Sequence, residues 1–229
     1  MLHMENVSKS YQHRRQNVMA LQDATVHFPS GDFVSIVGPS GSGKSTLLLM
    51  LGGMLSPTAG RVLLEGQSLY DLTYDGRARL RRQRIGFVFQ TFNLIPYLTA
   101  LENVKVPLCL SSTSDAEQET KATALLERVG LGDRLDHKPG ELSVGQQQRV
   151  ALARMLANEP AAILADEPTG NLDPETGQQI IQFFTEFNEE GRTIIMVTHD
   201  PRAAARARRT LKLQDGRIVE EQQRSLHVA

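Results

Sequence analysis

The stretch "DFVSIVGPSGSGKSTLLLML" constrains this chain more than any other. A short apolar run, Asp32–Gly38, leads into a glycine-punctuated loop, Gly38–Thr46, and a second apolar run follows. The loop fits the pattern G-x-x-x-x-G-K-[S/T] in the setting that gives it a mechanism, after a buried strand and before a helix. Gly38, Gly41 and Gly43, with Pro39, Ser40 and Ser42 between them, let the backbone wrap an anion with its N–H groups inward. Lys44 adds a point charge for β- and γ-phosphates, and Ser45, followed by Thr46, offers a hydroxyl to Mg²⁺. A glycine-rich turn with a solvated lysine has the same composition but does not require the strand–loop–helix context.

Three more apolar runs read as buried strands: "RIGFVFQ" (84–90), "AAILADE" (161–167) and "TIIMVTH" (193–199). Helical stretches separate them, which predicts an α/β fold with a parallel sheet covered on both faces. "TLKLQDGRIVE" differs: two alternating runs flank Asp215-Gly216, a hairpin signal. Helix caps are also visible. Ser114 and Glu117 have capping-box spacing, and Ala122, Leu125, Leu126 and Val129 form one stripe that stops at Gly130. Asp173 precedes Pro174, and Ile180, Phe183, Phe184 and Phe187 give the next helix its buried face before Gly191. The polar stretch 111–120 reads as a surface connection.

Charge and cysteine content narrow the class. The formal net charge is −1, so no global field argues for nucleic acid, and none is expected as a partner. One cysteine, Cys109, rules out a disulfide framework. "MLHMENVSKSY" has no apolar core of a secretory signal. The run Leu47–Leu55 is broken by Gly52 and Gly53, short of the roughly 20 residues a spanning helix needs. The expectation is a soluble chain whose membrane role, if any, comes through a partner.

Two strand ends carry the remaining chemistry. "ILADEP" closes a strand in Asp166, placed to hold Mg²⁺, and Glu167, placed to orient or deprotonate an attacking water. His199 ends the next strand, where an imidazole N–H reaches a γ-phosphate. No N-K-x-D pattern occurs, so adenine is the better expectation than guanine. "LSVGQQQRV" (142–150) sets Ser143 and Gln146 at capping-box spacing, which describes a well-capped helix. Gly145 costs such a helix on the order of 1 kcal/mol relative to alanine, so something is expected close to its backbone, and an anion is the natural candidate. That second donor cluster serves either a second ligand or the open side of a ligand bound to another copy. Spacing alone does not choose.

The motifs, in this order, resemble those of the ATP-binding-cassette (ABC) ATPases: Tyr11, the P-loop, Gln90 after "GFVF", "LSVGQQQRVALARML", "ILADEP", "NLDP" and His199. The resemblance covers nearly the whole chain and implies a P-loop ATPase with a RecA-like parallel core, an antiparallel β subdomain and a helical subdomain. It places the core with its β subdomain at 1–93 and 156–229 and the helical part at 94–155. It implies that Tyr11 stacks on adenine, that Gln90 reaches Mg²⁺ and the attacking water, and that Ser143, Gly145 and Gln146 contact ATP held by a second copy of the chain. Asp173 would join the two sites. The family usually has glycine where this chain has Val144.

"FVFQTFNLIPYLTALENVKVPL" with "ADEPTGNLD" resembles the macrolide-export and lipoprotein-release branch. That implies a bacterial ATPase, peripheral at the cytoplasmic face of the inner membrane, docked on an FtsX-like permease near Gln90. Phe92, Leu94, Ile95, Tyr97 and Leu98 then belong either to that contact or to packing under the helical part. The five arginines of "RARLRRQR" (77–84) read as a solvated helix face, with anionic headgroups as the alternative. Two other roles compete: a regulatory cassette signalling through a permease-like partner, and a soluble cassette acting on DNA or the ribosome. Relatives of the last kind carry two cassettes or a long coiled coil, and this chain shows neither.

Overall fold

The computed structural model describes residues 1–13, 16–110 and 113–223. Two sheets organise it. The first is antiparallel, with order β2-β1-β4-β5, built from β1 (Leu2–His13), β2 (Gln16–Phe28), β4 (Ala59–Leu64) and β5 (Gln67–Ser68). The second has order β10-β9-β3-β8-β7-β6. Its strands are β3 (Phe33–Val37), β6 (Ile85–Val88), β7 (Ala162–Asp166), β8 (Thr193–Val197), β9 (Arg209–Gln214) and β10 (Arg217–Gln223). Every pairing from β9 to β6 is parallel, and β10 is added antiparallel at one edge.

The apolar runs form this sheet because both of its faces are buried. In β7, Ile163 and Ala165 join one core cluster while Ala162 and Leu164 join the other, and Ile194/Met196 and Ile195/Val197 split the same way in β8. Parallel strands covered on both faces need apolar residues at every position, which is why these runs do not alternate. One face carries α1 (Lys44–Leu51) and the antiparallel sheet. The other carries α5 (Val144–Leu156) and α6 (Pro174–Glu189).

The remaining helices are α2 (Tyr74–Arg84), α3 (Ala100–Lys105), α4 (Asp115–Arg128) and α7 (Pro201–Ala204). Helices α3, α4 and α5 pack on one another. Their core runs on into the sheet, since Ala122, Leu126 and Val150 share a cluster with Ile163 and Phe184. The capping boxes at Ser114/Glu117 and Ser143/Gln146 are both formed, and Asp215 (φ 48) and Gly216 (φ 75) make the hairpin turn. In the polar stretch read as a connection, Ser111 and Ser112 lie outside the described residues, and from Asp115 onward it is helix. The Ser114 cap starts α4 earlier than polarity alone suggests.

The arginine run is less solvated than its composition implies. Arg77 lies over the rings of Tyr70 (5.0 Å) and Tyr74 (5.1 Å), Arg81 donates to the Gly53 carbonyl (3.1 Å), and Arg84 pairs with Glu65. No helix among the described residues is long and apolar enough to cross a membrane.

Candidate functional site

Strands β3, β8, β7 and β6 lie side by side and run the same way, so their carboxyl ends share one edge. Leaving that edge are the Gly38–Ser45 loop after β3, His199 after β8, Asp166 and Glu167 at the end of β7, and Gln90 after β6. Open α/β sheets gather their ligands at this edge. The crossovers, not the sequence spacing, bring these four segments together.

The loop after β3 is shaped by its glycines. Gly38 (φ 153) and Gly43 (φ 102) have left-handed backbones, and a Cβ on either would fall 2.0 Å from the Leu213 carbonyl oxygen or 2.1 Å from that of Ala20. Only glycine lets the loop press against β9 and β2 in this way. The Gly216 N–H donates to the Ser42 carbonyl (3.1 Å), tying the loop to the β9–β10 hairpin. Lys44 Nζ donates to the Gly38 and Pro39 carbonyls (both 2.9 Å), which holds the ammonium across the loop. Helix α1 begins here with no side-chain cap at Gly43, so its first N–H groups keep their capacity for an anion.

Glu167 stands in an uncommon conformation for a residue with a side chain, φ 49. Its N–H still donates to the Val197 carbonyl (2.9 Å) and its carbonyl accepts from the Gly170 N–H (3.0 Å). The left-handed turn swings the side chain off the strand line. His199 Nδ1 lies 2.6 Å from Glu167 Oε2, and the His199 N–H donates to the same oxygen (3.3 Å). The sequence alone aims His199 at a γ-phosphate; in the structure its partner is the Glu167 carboxylate. Beside it, Asp166 Oδ1 is buried with no hydrogen-bond partner among the described residues. A buried orphan carboxylate oxygen is costly, and a cation is the group that would satisfy it.

Gln90 is exposed, and its carbonyl accepts from Asn171 Nδ2 (3.0 Å). Tyr11 sits on β1 opposite Val18 with 41% of its surface exposed and Lys9 Nζ 5.3 Å above the ring, so it is not a packed core tyrosine.

Ser143 and Gly145 open α5, which packs on α3, α4, α6 and β6. No hydrogen bond or ion pair among the described residues joins them to the Gly38–Thr46 loop of the same chain. The Ser143 N–H donates to Gln146 Oε1 (2.9 Å) and the Gln146 N–H to Ser143 Oγ (3.2 Å). Gly145 has a reason inside the chain: a Cβ there would lie 2.5 Å from Thr176 Cγ2. Thr176 is in the first turn of α6, where Asp173 Oδ1 accepts from its N–H (3.0 Å) and from that of Glu175 (3.1 Å). Hydrogen bonds from Thr176 hold the Asp173 carboxyl below its ordinary range. Val144 is 47% exposed, so the residue that departs from the usual pattern points away from the core.

Three supporting residues escape the sequence reading. Buried Asn103 knits the segment after Gln90, accepting from the Ile95 N–H (2.8 Å) and donating to the Ile95, Leu98 and Thr99 carbonyls. Arg154 donates to the Asn93 and Phe92 carbonyls (both 2.6 Å), and burial pulls its pKa down. Gln148 donates to the Pro168 carbonyl (2.7 Å). Polar residues at buried positions of apolar helices are the available signal, because such groups are seldom left without partners. Of the apolar residues after Gln90, Leu94 packs against the core while Tyr97 is exposed.

A family model described as "ABC transporter" matches residues 21–170. The chain belongs to the ABC transporter ATP-binding family. This ABC cassette is 47% identical over 217 residues to an uncharacterized ABC transporter ATP-binding protein of Thermotoga maritima, covering 95% of this chain and 93% of that one. It is also 47% identical over 224 residues to a macrolide export ATP-binding/permease protein of Syntrophobacter fumaroxidans, covering 96% of this chain but 31% of the relative. The cassette thus spans about a third of the length of the macrolide-export relatives it matches. Among solved structures, a bacterial ABC transporter cassette in dimeric form superposes with a TM-score of 0.93 at 45% identity, covering 99% of this chain and 100% of that one. A dimeric post-hydrolysis cassette bound to ADP and Pi gives 0.92 at 44%, with the same coverage. The cassette is an ATPase of the ABC type with the α/β fold of that family.

Proposed function

We propose that the cassette hydrolyses ATP as a head-to-tail pair of copies docked on an integral-membrane permease of the FtsX-like kind, at the cytoplasmic face of a bacterial inner membrane. The work done is export, lipoprotein release or transmission of movement across the membrane. The observation that carries this is the split site. The phosphate loop, Glu167 and His199 share one edge, while Ser143 and Gly145 open a helix on α6 and make no hydrogen bond or ion pair with that loop among the described residues. Dimeric relatives and macrolide-export relatives support the pairing and the membrane partner.

In this reading Lys44 and the N–H groups of Gly38–Thr46 hold the β- and γ-phosphates, and Tyr11 stacks on adenine. Glu167 orients the attacking water and takes its proton as the water oxygen bonds to the γ-phosphorus and the bond to ADP breaks. His199 keeps the carboxylate oriented through its 2.6 Å contact. Ser143, Gly145 and Gln146 of the second copy cover the γ-phosphate, with Asp173 linking the two sites. Mg²⁺ fits the residues present: Ser45 and Gln90 offer neutral oxygens, and Asp166 Oδ1 lacks any other partner among the described residues. One carboxylate with a hydroxyl suits an ion that takes its remaining ligands from water and phosphate, and no cluster of three acidic, His or Cys residues able to hold a metal occurs among the described residues. Bound there, Mg²⁺ would neutralise phosphate charge.

The segment 94–155 acts as the helical subdomain, with 1–93 and 156–229 as the catalytic core. A cavity of about 700 Å³ between α2 and the end of α5, lined by Arg79, Arg82, Phe87, Phe89, Leu110 and Met155, provides the permease contact beside Gln90. The test is Glu167→Gln. It is expected to bind ATP, to retain only a slow residual turnover and to persist as a dimer on size exclusion; turnover at the wild-type rate contradicts the assignment.

A further inference from the structure

Gln148 is fully buried in α5, among Val150, Ala151 and Leu152. Its Nε2 donates to the Pro168 carbonyl (2.7 Å), while its Oε1 has no partner among the described residues. The amide cannot be turned over to relieve this, because the Pro168 oxygen is an acceptor and must face the NH₂. A half-satisfied amide is a poor way to stabilise a core, so its retention needs another reason.

Pro168 directly follows Glu167, whose φ of 49 must be held by its surroundings. Ahead of the strained residue, the Glu167 N–H is anchored to Val197 on β8. Behind it, the Pro168 carbonyl is anchored to α5 through Gln148. Helix α5 is the one that begins with Ser143 and Gly145.

We propose that Gln148 is a positioning residue that sets Glu167 from the helix bearing Ser143, so that engagement of Ser143 by a partner copy's nucleotide is felt at the carboxylate of the same chain. The inference rests on the reading of Glu167 as the catalytic base.

Gln148→Met keeps the volume and removes the bond. It exchanges one orphaned oxygen, Gln148 Oε1, for another, that of Pro168, so the thermal midpoint stays near wild type. ATPase kcat is expected to fall about 10- to 100-fold, the scale of a small misplacement at the reacting centre, with KM for ATP unchanged. In the Glu167→Gln background the slow residual turnover should not fall further, because the residue acts through that carboxylate. Gln148→Leu, measured alongside, should behave the same way. Wild-type kcat in Gln148→Met with a strongly slowed Glu167→Gln overturns this inference alone. Wild-type kcat in Glu167→Gln overturns the reading of Glu167 and this inference with it. A parallel loss of KM or thermal midpoint in both Gln148 variants, or an equal further loss in the Glu167→Gln background, makes Gln148 merely structural.

Discussion

Gly145→Ala tests the packing reason for the glycine in the signature stretch. An added Cβ lies 2.5 Å from Thr176 Cγ2 and 3.7 Å from both Thr176 Cβ and Oγ1, so the clash is with one methyl group. Thr176 cannot yield easily: its side chain is β-branched and stiff, and its N–H is fixed to Asp173. Overpacking of this kind costs about 1–3 kcal/mol. Alanine returns up to about 1 kcal/mol of helix propensity. The net is a destabilisation of about 1–2 kcal/mol, or roughly 2–8 °C in thermal midpoint for a chain of this size. Thr176→Ser removes the methyl and keeps the hydroxyl, so Gly145→Ala in that background should be neutral or stabilising. Urea unfolding of the four proteins gives a coupling of about 1–3 kcal/mol, the overpacking term itself. If Gly145→Ala instead stabilises equally in both backgrounds, the clash does not exist and the glycine must be explained by a ligand alone.

Lys44→Ala should weaken ATP binding about 10- to 100-fold by calorimetry, the value of a charge-assisted bond to phosphate, and unchanged affinity would remove the loop from the site. Asn103→Leu should lower stability by about 1–3 kcal/mol in urea, since it removes the partner of the Ile95 N–H and of three carbonyls in a half-buried turn; an unchanged midpoint would mean the loop holds itself. Bonds from Thr176 depress the Asp173 carboxyl below its ordinary 3.8, so its contribution to folding is present above that value and is lost as pH falls through the lower folded value. Asp173→Asn should therefore flatten the acid limb of a stability–pH profile below about pH 4, and an identical limb would show that the cap carries no charge effect.

Much of the architecture was legible because local chemistry and global fold agree. Unbroken apolar runs such as Ala162–Asp166 specify strands buried on both faces, and Ser114, Ser143 and Asp173 each cap the helix their spacing announces. The phosphate loop was legible as well, since its glycines answer to close contacts with β2 and β9. Tertiary neighbours account for what was not. The reason for Gly145 lies in Thr176, thirty-one residues on, and no window of sequence pairs them. His199 reads as a lone strand-end histidine until β7 and β8 lie side by side and set it against Glu167. Gln148 and Arg154 bond to carbonyls 20 and 61 residues away, and Asn103 to carbonyls of the preceding turn, so their sequence trace is only polarity in an apolar stretch.

The most direct test of the paired site is complementation in trans. Lys44→Ala disables the phosphate loop and keeps the Ser143 helix; Ser143→Arg does the reverse. Each is expected to be inactive alone. Mixed in equal amounts, they should recover about a quarter of the wild-type ATPase rate, because half the pairs are mixed and each mixed pair has one intact composite site. A mixture no more active than its components would contradict the account, since a site completed within one chain leaves nothing for the partner to restore.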